Sequence, residues 1–170
     1  EIELAEPMEG EKAALALDAA LPRGIRVLAA DAVDTHHAAL MSQAAGASYR
    51  VTLPYSKDVS AAVAEFNAAP ELLFKKAAPK TKAKFKEIDV KFYIPQLTAE
   101  QTEKETIFSF DCKITPTGSM KAVDLLNALN EQYGLALPVE MADIERLRLY
   151  RNNKNGKPIP MLNSDAVTLG

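Results

Sequence analysis

The chain has 170 residues, 48% hydrophobic and 25% charged, with a formal net charge of −3 and a pI near 5.5. That is enough to bury a core in one or two small domains, and the acidic balance argues against a general nucleic-acid coat. No run of about eighteen apolar residues offers a membrane-spanning helix, and no basic start followed by an apolar run marks a secretory signal, so the cytoplasm is the expected compartment.

Residues 1–4 (EIEL) open in alternation and predict a strand that Pro7 ends. With no initiator methionine ahead of it, the chain reads as a fragment of something longer. Residues 11–21 are rich in helix formers, with Ala14, Leu17 and Leu21 on one stripe. Pro22 and Gly24 stop this helix, and residues 25–30 (IRVLAA) follow as a second strand. Residues 35–46 predict a brief alanine-rich helix with Thr35 as its N-cap. Tyr49, Val51 and Leu53 then alternate along a strand over residues 48–54. Ser56 caps a helix over residues 57–68 that places Val59, Val63 and Phe66 together.

Residues 72–94 (LLFKKAAPKTKAKFKEIDVKFYI) read as strand, lysine-studded turn, strand, closed by Pro95. Residues 96–105 form a polar, acidic connector, and residues 106–115 another alternating strand. Thr117, Gly118 and Ser119 open the clearest helix, whose Ala122, Leu125, Leu126, Leu129 and Tyr133 recur at helical spacing before Gly134. Residues 144–150 are the last strand. The predicted fold class is α+β. Residues 47–151 form a ferredoxin-like β-α-β-β-α-β sandwich with one additional strand. Residues 1–46 form a partial unit (strand, helix, strand, helix) matching the back half of a second, similar one, and residues 152–170 form a tail.

The blocks LDAALPRGIRVLAADAV, ALMSQAAGASYRVTL, the hairpin ending EIDVKFYI, TPTGSMKAVDLLNAL and IERLRLYR resemble, in order, successive blocks of a bacterial family, the radical SAM-linked proteins. Its members, domains of unknown function, sit beside or are fused to radical SAM proteins with a cobalamin-binding-type domain. They are often encoded near a ribonuclease and ribosomal-protein genes. The resemblance covers residues 1–151 and implies a radical SAM protein as partner, in RNA or ribosome maturation. Asp89, Lys91 and Phe92 match the family's aspartate-basic-aromatic strand, and Gly118 and Ser119 its glycine-rich helix entry. The family's N-terminal block, with its His-Leu-Asp and Asn-Pro-His segments, has no counterpart here, in keeping with a fragment.

Six lysines, Lys75, Lys76, Lys80, Lys82, Lys84 and Lys86, stand on the hairpin with no acid before Glu87. They fit two roles: contacts to RNA phosphates, with Lys121 as a further contact, or charges that keep a sheet edge soluble and unpaired. Tyr93, Phe108 and Phe110 are the aromatics available for stacking on bases. Gly118 and Ser119 fit either an anion site at a helix start or a plain N-cap at Ser119.

No catalytic residue or cofactor is predicted. The lone Cys112 excludes an internal disulfide and cannot supply the several thiolates of an iron–sulfur cluster or an all-cysteine zinc site. Its place between Phe110 and Ile114 predicts a small core residue rather than a nucleophile. His36 and His37 are adjacent, so on a helix their side chains diverge and do not share a metal. Glu100, Glu103 and Glu105 read as solvated acids of the connector. The expected function is a non-catalytic accessory domain that binds RNA or a ribonucleoprotein. The alternatives are a protein–protein adaptor that docks the radical SAM enzyme and, less favoured, an enzyme whose active residues lie in the missing block.

Overall fold

The computed structural model describes residues 2–33, 36–55, 57–77, 84–163 and 166–169. Along the chain lie α1 (Gly10–Ala20), β1 (Ala29–Ala30), α2 (Leu40–Gln43), β2 (Ala44–Pro54), α3 (Ser60–Ala68), β3 (Leu73–Ala77), β4 (Phe85–Asp89) and α4 (Val90–Tyr93). They are followed by β5 (Leu97–Gln101), β6 (Glu105–Thr115), β7 (Gly118–Ser119), α5 (Ala122–Tyr133), a 3₁₀ turn (Val139–Met141), β8 (Asp143–Asn152), β9 (Pro158–Pro160) and β10 (Val167–Thr168). The chain divides into two compact units, one made of the residues up to Gln43 and from Arg151 onward, the other of Ala44–Tyr150.

The larger unit is a ferredoxin-like α+β arrangement. Its sheet has the order β5-β6-β2-β8, with β2 and β5 both antiparallel to β6. Tyr49, Val51 and Leu53 of β2 stand opposite Phe110, Phe108 and Thr106 of β6. Because side chains alternate along a strand, these pairs share one face. That face packs against Phe66 of α3 and Leu125, Leu126 and Leu129 of α5 to make the core. The opposite face carries Ser48, Arg50 and Thr52 with their partners Asp111, Ser109 and Ile107.

Two asparagines tie helices to the chain that follows them. Asn67 donates to the Leu97 carbonyl (2.7 Å) and accepts from the Leu97 N–H (2.9 Å). Asn130 does the same at Leu137, at 3.0 and 2.7 Å. Leu97 is fully buried, so truncating Asn67 leaves its peptide groups short of partners. Asn67→Ala is expected to cost about 1–3 kcal/mol, seen as a lower urea midpoint at unchanged slope.

Several elements differ from expectation. The polar connector contains β5, the edge strand of the sheet, and the lysine hairpin is a separate two-stranded sheet, β3-β4, inserted before it. The hairpin's return strand ends at Asp89, whose carboxylate accepts from the Lys91 N–H (2.9 Å) and the Leu72 N–H (3.1 Å). Asp89 thereby caps the one turn of α4, so Lys91 and Phe92 lie on a helix rather than a strand. Gly118 and Ser119 do not open α5. They pair with Thr115 and Ile114 as β7, and the N-cap position falls on Lys121 without a side-chain cap bond. Gly118 has φ +131°, which suits glycine at this turn. The predicted N-caps Ser56 and Thr35 lie outside the described residues.

In the smaller unit, residues 2–4 form no strand, and only Ala29–Ala30 of the predicted second strand pairs, with Val167 and Thr168 of β10. The Asp18 carboxylate accepts from Arg26 Nε (3.0 Å) and the Val27 N–H (2.8 Å), which holds residues ahead of β1 in place of a ladder. The helix expected over residues 35–46 is confined to α2, and β2 already begins at Ala44. The stretch 152–170, expected as a tail, carries β9 and β10. Asn153 organises a turn there by accepting from the Asn155 and Lys157 N–H groups, both at 2.9 Å.

Candidate nucleic-acid interface

The hairpin's register sets where its lysines point. Lys75 stands opposite Glu87, Lys76 opposite Lys86, Phe74 opposite Ile88 and Leu73 opposite Asp89. Phe74 is buried in the core while Leu73 is exposed, so one face of the arm packs inward and the other faces solvent. Lys76 lies on the inward face, and its ammonium meets the Asp124 carboxylate of α5 at 2.6 Å, both side chains being partly buried. Lys76 is therefore neutralised.

Lys75, Lys84 and Lys86 are exposed and form no ion pair among the described residues. Lys84 has φ +57°, where the chain re-enters the arm. Lys80 and Lys82 lie outside the described residues. Lys121 is exposed ahead of α5, and Gly118 and Ser119 are exposed on β7. The arm thus carries Lys75, Lys84 and Lys86, with Lys75 beside Glu87 on the outward face and Lys86 beside Lys76 on the inward one, while Gly118, Ser119 and Lys121 belong to the turn that leads into α5. Lys91 is engaged too. Its ammonium sits 4.4 Å from the Phe66 ring centre and 2.5 Å from the Pro95 carbonyl, and burial holds its pKa below the usual lysine range.

Alongside the arm runs an open groove of about 600 Å³ lined by Phe74, Lys75, Lys76 and Phe85 and by Asp124, Asn127, Asn130 and Glu131 of α5. The α5 residues recur three or four apart, so they occupy one stripe of the helix. That polar stripe is legible in the sequence beside the apolar one, and it was the signal for this wall of the groove. Phe85 is 60% exposed.

The aromatics available for stacking do not form a platform on the sheet. Phe108 and Phe110 are buried in the core, and Tyr49 stacks on Phe110 at 5.6 Å. Tyr93 packs against the core. The face away from the helices instead carries a polar cluster in which Arg148 Nε donates to Ser48 Oγ (2.8 Å) and Ser48 donates to the Asp111 carboxylate. The Tyr150 ring and hydroxyl lie where a Cβ on Gly46 would stand. Burial, then the charge of Asp111, pushes the Tyr150 phenol above its ordinary pKa.

Among the described residues no group of three or more His, Cys, Asp or Glu side chains lies together, and His37 Nδ1 meets Gln43 Nε2 at 3.3 Å. Cys112 is buried, and burial pushes its thiol pKa up. Because the thiolate is the reactive form, the folded protein is expected to react with a thiol reagent at pH 8 at least roughly tenfold more slowly than the urea-unfolded chain. Equal rates would show the thiol to be accessible.

These features define a ferredoxin-like α+β domain with a basic hairpin inserted into its first crossover. Residues 1–125 match the model of a family described as an uncharacterized protein conserved in bacteria (DUF2344), and the chain belongs to that family. The matched stretch includes both strands of the arm. No curated protein and no solved structure matches the chain. No helix among the described residues is long and apolar enough to cross a membrane.

Proposed function

We propose that this protein is a non-catalytic accessory domain of the bacterial cytoplasm that grips RNA or a ribonucleoprotein through its hairpin arm, in support of a radical SAM partner. The observation that carries the reading is the exposure of Lys75, Lys84 and Lys86 on one hairpin, with no ion pair to them among the described residues. In a chain of net charge −3, such an arm is where a polyanion arrives first. Each lysine that neutralises a phosphate releases condensed counterions, giving salt-sensitive affinity without sequence reading. The radical SAM partner rests on the resemblance of the sequence blocks and on their order.

The test is a gel shift with bulk RNA at low and at moderate salt. Binding at low salt that fades as salt rises is the expected result. Absence of a shift at low salt would remove the reading. It would leave an adaptor that holds the radical SAM enzyme directly, which predicts co-purification insensitive to nuclease and to lysine changes on the arm.

A further inference from the structure

We infer that the strand gripped by the arm is single-stranded and that one of its unpaired bases stacks on Phe85 at the rim of the groove beside α5. The inference rests on the RNA reading above and adds the form of nucleic acid it takes. Phe85 is a large apolar ring left 60% exposed at the start of β4, in a protein that buries Phe66, Phe74, Phe108 and Phe110. Lys84 and Lys86 flank it in the chain, with Lys86 turned to the other face by the alternation of β4. Lys75 is its diagonal neighbour across the arm, since Lys75 stands opposite Glu87 and Ala77 opposite Phe85; such neighbours lie within reach of long side chains.

An exposed ring with one lysine on its own face, Lys75, and two more beside it in the chain, none in an ion pair among the described residues, suits a single strand: a base stacks and the backbone is neutralised. The groove adds a reason for a base, rather than a phosphate, to enter. Among the described residues its only cation besides Lys75 is Lys76, already paired with Asp124, and the far wall carries Glu131 and the Asn127 amide. A carboxylate repels phosphate and accepts from the amino group of a base edge. A base paired within a duplex presents no free face to a ring on the arm, so a duplex engages the lysines alone.

The test compares a labelled single-stranded RNA of about twelve nucleotides with its duplex, by fluorescence anisotropy. Phe85→Ala is expected to weaken single-strand binding roughly tenfold or more and leave the duplex nearly unchanged. Phe85→Trp should retain the affinity, and its indole emission should be quenched by the single strand. Circular dichroism of both variants checks that they fold. If Phe85→Ala binds the single strand as tightly as the unaltered chain while lysine changes on the arm abolish binding, the stacking is refuted and the backbone grip stands. Failure of either RNA to bind at low salt would overturn both. Loss of a nuclease-resistant protein partner on Phe85→Ala, with RNA binding intact, would assign the ring to a protein contact and overturn the inference alone.

Discussion

Replacing Phe108 by alanine is expected to destabilise the protein by about 3–5 kcal/mol, the largest stability effect anticipated for a single side chain. Phe108 is fully buried in β6, opposite Val51 of β2 on one side and Ala99 of β5 on the other. It sits where the interior strand of the sheet meets the packed helices, among fully buried neighbours such as Val51, Leu125 and Leu126. Lost transfer energy and the remaining cavity therefore add. Against a typical total of about 5–15 kcal/mol, the change removes roughly a fifth or more, and thermal unfolding should fall by roughly 10–20 °C. Phe92→Ala is the contrast. Phe92 is half exposed, and its contacts are an edge-on approach to Tyr93 at 5.0 Å and the Lys113 ammonium at 5.4 Å. Its loss should cost about 1 kcal/mol or less. Similar losses for the two rings would mean that the core does not run between this sheet and its helices.

The elements with a single strong pattern were legible. β2 and β6 each place three apolar side chains on one face, and α5 carries its buried Ala122, Leu125, Leu126 and Leu129 at helical spacing up to the left-handed Gly134. β5 was not legible because it is an edge strand whose buried face offers one large apolar side chain, Leu97, followed by Ala99 and Gln101. The segment from Val90 to Ile94 fits two periods. Alternation would bury Val90, Phe92 and Ile94 together, but the chain buries Val90 and Ile94, four apart, and leaves Phe92 out, which is the helical solution. Within the candidate interface the lysine run was plain from sequence. The neutralisation of Lys76 was not, because Asp124 lies 48 positions away in the chain, and only the packing of the arm against α5 brings the two charges together.

Changing Lys75, Lys84 and Lys86 together to alanine is expected to make RNA binding weaker and much less sensitive to salt. For single-stranded RNA each neutralised phosphate contributes about −0.7 to the slope of log K against log salt, so three contacts contribute about −2. On that slope the unaltered arm loses roughly twentyfold in affinity between about 50 and 200 mM salt, and the triple variant forfeits this part of the dependence. Lys76→Ala tests the geometry from the other direction. Its ammonium is already balanced by Asp124 at 2.6 Å, so it has no condensed counterion to displace from RNA, and the slope should stay close to that of the unaltered chain. What that variant should lose is stability, because the partly buried Asp124 carboxylate is left without its partner. A slope that falls as much for Lys76→Ala as for the triple variant would mean that the inward lysine reaches the nucleic acid. The arm would then have to leave α5 on binding, and the division between lysines that grip RNA and a lysine neutralised by Asp124 would fail.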